Sequence, residues 1–84
     1  MKRRLAWTKP ALRDMKKLEQ KTAQRIEAAL VRLAHEGHGD VQKLTDVDPP
    51  EWRLRVGDYR AFVRYLTDVS ELRVLRVRKR DEAY

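Results

Sequence analysis

An α+β fold, with a helical hairpin covering one face of an antiparallel sheet in the order β-α-α-β-β-β, is what this sequence predicts. Three observations predict it. Apolar residues recur every three or four positions between Ala11 and Ala34, the period drops to two from Trp52 onward, and a stretch holding two glycines and two prolines separates the regimes. A chain of 84 residues has room for one core, so residues 1–84 are expected to form a single domain.

Residues 3–7 read as a short opening strand. Thr8-Lys9-Pro10 then supplies a helix start, with a capping hydroxyl followed by proline in the first turn. In the helix that follows, Ala11, Leu12, Met15 and Leu18 form the buried stripe, and Arg13, Asp14, Lys16, Lys17 and Glu19 the solvent face. Thr22 is expected to cap a second helix, joined to the first near residues 20–22. Its stripe is Ile26, Ala29, Leu30, Leu33 and Ala34, and Gly37 ends it. Residues 37–50, with Gly37 and Gly39 around His38 and Pro49-Pro50 at the close, are expected to be mostly connection, anchored by Val41 and Leu44.

From Trp52 the alternation is that of half-buried strands. Trp52, Leu54 and Val56 face the core and Arg53 and Arg55 face away; Gly57-Asp58 then makes a tight turn with glycine first. In residues 59–66, Tyr59, Ala61, Val63 and Tyr65 face inward, with Arg60, Phe62 and Arg64 on the opposite side. A turn at residues 67–70 leads into a last strand over residues 71–78, where the parity is mixed and Leu75 and Val77 are assigned to the core.

Several classes of function are excluded by composition. Without cysteine there is no disulfide framework, no zinc ribbon and no thiolate nucleophile. The basic N-terminus is interrupted by Thr8, Lys9 and Pro10 before any apolar stretch develops, so no signal peptide is expected. No run approaches the roughly 18 apolar residues of a membrane span, and a soluble, cytoplasmic protein without membrane contacts is expected.

Charge is the informative feature. The chain carries 20 Lys plus Arg against 13 Asp plus Glu, a net +7, and it is unevenly spread. Residues 52–80 hold nine basic residues against three acidic ones, a net +6, and eight of the nine are arginine. Strand parity puts Arg53, Arg55, Arg60, Arg64, Arg76 and Arg78 on the face away from the helices. An uncovered sheet face must be polar, but it need not be of one sign. Clustered guanidinium groups suit forked contacts to phosphate and stacking on bases, so a nucleic acid or other anionic partner is expected. Phe62 lies among them by parity, where it either stacks on a base or covers a sheet edge. His35 and His38 fall at the end of the second helix and in the loop after it, and are expected to be surface residues.

Two blocks, WRLRVGDYRAFVRY and LRVLRVRKRDEAY, together with the Thr-Lys-Pro-Ala helix start and Val41-Gln42-Lys43-Leu44, resemble the RelE/ParE superfamily of toxins from type II toxin–antitoxin systems. The resemblance spans nearly the whole chain. It implies, for the RelE branch, a metal-independent endoribonuclease without cofactors that cuts messenger RNA in the ribosomal A site and so inhibits translation. Its implied chemistry is attack of a 2′-hydroxyl on the adjacent phosphate, giving a 2′,3′-cyclic phosphate. An antitoxin partner is implied as well, with operator DNA contacted only through that antitoxin. Carried onto this chain, the catalytic positions fall on Arg60, Arg80 and Tyr84. The RNA- or phosphate-binding positions fall on Arg53, Arg55, Arg64, Arg76, Arg78, Lys79 and Phe62.

Arg53 and Arg55 stand where ribonuclease members carry lysines. A guanidinium is effectively always protonated, so these two are clamps for phosphate and not bases. Glu51, Asp81 and Glu82 are the nearby carboxylates, none singled out as the general base; electrostatic activation without an efficient base is the alternative. The other branch of the superfamily implies a ParE-like inhibitor of DNA gyrase. A third possibility is a module that binds nucleic acid through the basic sheet without catalysis.

Overall fold

A computed structural model describes residues 2–82. The elements are β1 (Arg4–Trp7), α1 (Lys9–Lys16), α2 (Gln20–Glu36), β2 (Val41–Lys43), β3 (Trp52–Val56), β4 (Tyr59–Leu66) and β5 (Glu71–Lys79). Short 3₁₀ turns at Thr67–Val69 and Arg80–Glu82 follow β4 and β5. The five strands form one sheet in the order β1-β5-β4-β3-β2, antiparallel except that β1 runs parallel to β5. The α+β architecture is thus as expected, with the parallel edge and the three-residue β2, placed in what reads as a connection, added to it.

The first helix starts as its sequence dictates. The Thr8 hydroxyl accepts from the Ala11 N–H at 3.2 Å, and Pro10 occupies the first turn, where its missing N–H is not needed. The second starts earlier than expected. Its N-cap is Glu19 and Thr22 lies inside the helix, so the hairpin turn is only residues 17–19. Gly37 ends it in the left-handed region at φ 75°, a conformation open to glycine at little cost.

Ile26, Leu30 and Leu33 of α2 pack on Leu54, Val63, Leu72 and Val74 of the sheet, all essentially fully buried. Each such side chain contributes about 1.5–3 kcal/mol of transfer free energy. At the periphery Trp52 meets Tyr65 edge to face, with centroids 5.5 Å apart, and the Arg3 guanidinium lies 4.9 Å from the Tyr65 ring centre. Burial pushes the Tyr65 phenol up from its ordinary value, an effect the Arg3 charge partly opposes.

Two expected core assignments change. In β5 the buried apolar residues are Leu72, Val74 and Val77, while Leu75 is only half-buried. Val63 pairs with Val74 and Phe62 with Arg76, so Leu75 has no partner: a bulge that reverses the parity between Val74 and Val77. In α1, Leu12 is 45% exposed and Asp14, placed by pattern on the solvent face, is 9% exposed.

Asp14 is inside because β5 needs it there. β1 covers β5 only through Val74, where the Thr8 N–H donates to the Val74 carbonyl and the Thr8 hydroxyl to that of Leu75. Beyond that point α1 replaces a strand. The Asp14 Oδ2 accepts the Val77 N–H at 2.9 Å, and the carboxylate is held side-on by Arg76 at 2.8 and 3.2 Å. Burial works to raise the Asp14 pKa. The Arg76 and Val77 hydrogen bonds and the charges of Arg76 and Arg78 together outweigh it and hold the carboxyl below 3.8. The same contact raises the Arg76 pKa, against a smaller opposing effect of desolvation.

Replacing Asp14 by alanine strands the Val77 N–H and is expected to cost about 1–3 kcal/mol in urea unfolding. Because the folded-state pKa is depressed, the stabilisation by ionised Asp14 is complete above the unfolded value and lost as the pH falls through the folded one. Asp14→Asn should therefore flatten the acid limb of the stability curve below about pH 4 relative to wild type. Identical acid limbs would contradict this account.

Candidate nucleic-acid interface

The helices cover one face of the sheet and leave the other to its arginines. Register sets their spacing. Arg55 of β3 lies opposite Arg60 of β4, and Arg60 lies opposite Arg78 of β5, so three arginines form a row across adjacent strands. Like charges directly opposite each other destabilise a sheet, and nothing about folding requires the row. Next to it runs a second row of Gln42, Arg53, Phe62 and Arg76. Arg53 donates to Gln42 at 3.3 Å, and Phe62 is half-buried between Arg53 and Arg76 in the register.

The other end of the same face is neutralised. Arg64 is paired with Glu51 at 3.1 Å, and the buried Glu71 takes Arg73 at 2.8 Å and Arg4 at 3.4 Å. Arg64, expected to bind phosphate, is therefore committed to Glu51, and Glu51, one of the carboxylates near the expected site, to Arg64. Arg76 is also redirected: it turns over the edge of β5 to Asp14 and does not stand free above the sheet. By contrast, the side chains of Arg55, Arg78, Lys79 and Arg80 make no hydrogen bond or ion pair with other described residues. The uncompensated charge is concentrated at the end of the face that carries the β3–β4 turn.

That turn organises the site. Gly57 takes φ 57°, as the glycine-first sequence requires. The Gly57 carbonyl accepts Arg60 Nη1 at 3.1 Å, and the Asp58 carbonyl accepts the Arg80 N–H at 2.7 Å. Arg60 also donates to its neighbour's carbonyl, that of Tyr59, at 3.0 Å, and is only 6% exposed. Its burial was not foreseen from parity; it is possible because backbone oxygens take its donors. Arg60 and Arg80 are thus brought to one turn although 20 residues apart in sequence.

Two clefts flank the turn. One of about 180 Å³ is lined by Arg53, Arg55, Arg60, Gln42 and Asp40. The other, of about 370 Å³, is lined by Lys79, Arg80, Asp58 and Asp81. Asp40 and Gln42 are not among the site residues read from sequence; β2 brings Gln42 beside Arg53, and the Asp40 carbonyl accepts the Arg55 N–H at 2.9 Å. Tyr84 lies outside the described residues, and nothing is described of the Glu82 side chain. His35 and His38 are exposed. Among the described residues no group of three or more His, Cys, Asp or Glu is placed to hold a metal ion, and no helix is long and apolar enough to cross a membrane.

Residues 5–84 match the family model described as the ParE toxin of type II toxin–antitoxin systems. The chain belongs to this family. It is a toxin of the RelE/ParE superfamily, and its fold is shared with solved RelE structures. Against the RelE–RelB complex of Pyrococcus horikoshii the TM-score is 0.80 at 23% identity, over 99% of this chain and 100% of that one. For the RelBE2 toxin–antitoxin complex of Mycobacterium tuberculosis it is 0.80 at 24% identity, over 95% and 93%. A free mutant of Escherichia coli RelE gives 0.68 at 20% identity, over 99% and 88%. No curated protein matches the toxin in sequence.

Because Arg55 and Arg60 repel across the strand pair, Arg55→Glu is expected to stabilise the toxin by about 0.2–1 kcal/mol. The gain should shrink as salt screens the pair. Thermal unfolding at low and high ionic strength checks this; a variant no more stable at low salt would count against the repulsion.

Proposed function

We propose that the toxin is a RelE-like, ribosome-dependent messenger RNA endoribonuclease, and the observation that carries this reading is the alignment of Arg55, Arg60 and Arg78 across adjacent strands beside Arg80. Arg55 and Arg78 hold the RNA backbone across the strands, over the buried charge of Arg60. A 2′-hydroxyl attacks the adjacent phosphorus, the bond to the 5′-oxygen breaks, and the products are a 2′,3′-cyclic phosphate and a 5′-hydroxyl. The extra negative charge on the phosphoryl oxygens is met by Arg80, whose backbone is fixed to the turn that fixes Arg60. Arg53 and Arg55 act as clamps, Phe62 and Tyr84 as stacking surfaces, and proton transfer is left to solvent or to carboxylates bordering the clefts.

An antitoxin is the partner in this reading, as in the RelE–RelB complexes. An acidic, amphipathic segment folding onto the arginine end of the open face blocks RNA by charge competition. A second reading is favoured by the family model, which is that of ParE toxins: inhibition of DNA gyrase with the basic face serving contact and not catalysis.

Primer extension on translated messenger RNA after induction, run beside gyrase supercoiling in vitro, separates the two. Codon-dependent cuts are expected, reduced at least about 100-fold in Arg80→Ala, as for loss of a group that stabilises transition-state charge. Gyrase inhibition without cuts would establish the second reading instead.

A further inference from the structure

A third cleft lies off the open face, around the edge of β5. It measures about 330 Å³ and lies between the end of α1, with Asp14, Lys17 and Leu18, and Tyr59 and residues 76–79 of the sheet. That is the size range of ligand pockets, roughly 300–1,000 Å³. Its charge is one-sided once the internal pair is discounted. Asp14 is engaged by Arg76 and the Val77 N–H and also feels the charge of Arg78, whereas Lys17 and Lys79 form no ion pair with a carboxylate among the described residues.

The backbone adds a donor. In an antiparallel ladder successive N–H groups alternate between the two sides of a strand, so if Val77 points its N–H outward to Asp14, Lys79 sends its own to the same edge. Neither β1 nor α1 covers β5 at that position. Arg78 belongs to both regions: it ends the row across the sheet and lines this cleft.

We infer that this cleft is a phosphodiester subsite, taking the continuation of a single RNA strand that leaves the arginine row over the edge of β5. The phosphate sits among Lys17, Lys79 and the Lys79 N–H, with Tyr59 as the aromatic wall for the adjoining base. The inference rests on the RNA reading above and extends it to residues of α1, which no strand parity would include.

The test uses 2′-O-methylated oligonucleotides, which lack the attacking hydroxyl, in two lengths of about three and about eight nucleotides. Binding to wild type, Lys17→Ala and Arg55→Ala is followed by fluorescence anisotropy over a salt series. In parallel, inorganic phosphate is titrated while backbone amides are observed by NMR. Lys17 caps α1 with an exposed side chain, so its truncation leaves the fold intact.

Lys17→Ala is expected to weaken the longer oligonucleotide roughly tenfold, equivalent to one lost charge-assisted contact. Its log–log salt slope should fall by about 0.7, with the shorter oligonucleotide unaffected. Phosphate should shift the Lys17 and Lys79 amides. If Arg55→Ala weakens both lengths while Lys17→Ala changes neither, the cleft assignment fails and the RNA reading stands. Phosphate binding here with no oligonucleotide binding would overturn RNA as the occupant and the RNA reading with it; no binding of either probe would overturn both.

Discussion

One hydrogen bond at the edge of β5 decides how the sheet and the helices fit together. β1 is too short to cover β5, and the remaining edge would expose a buried N–H at Val77. The carboxylate of Asp14 closes that edge from a helix, which fixes where α1 lies and how far its axis can slide along the strand. A carboxylate near the end of a helix is unfavourable against the helix dipole and against burial. Arg76 offsets both, and in doing so is withdrawn from the open face.

The charge on that face is accordingly divided and not uniform. Carboxylates of Glu51 and Glu71 neutralise the end carrying Arg64 and Arg73, while the turn end keeps a row of arginines set opposite one another. The two ends obey different rules: one is arranged for stability, the other tolerates repulsion between like charges.

Much of this was legible in the sequence. The Thr8-Pro10 helix start, the Gly37 stop, the inward set of β3 and β4 and the glycine-first turn each depend on a residue and its immediate neighbours. What escaped depends on partners distant in sequence. Leu75 could not be told from Val74 because a bulge is a property of two strands, and strict alternation fails wherever one is inserted. Asp14 stands three residues after Ala11 and four before Leu18, on the apolar stripe by spacing, but its polarity assigns it to solvent unless the bare edge it serves is known. Arg60 and Arg64 have the same parity and residue type; only the carbonyls of the turn and the carboxylate of Glu51 set their roles apart.

The two-residue turn between β3 and β4 has a further consequence. Arg60 and Arg80 hang from adjacent carbonyls of that turn, so they share one ruler. Adding or removing a single residue there would slide β4 by about 3.3 Å and turn its side chains to the opposite faces. The arginines would enter the core and the valine and tyrosines would leave it. Within this fold the length of the turn is therefore less free to vary than its composition, apart from the glycine that begins it.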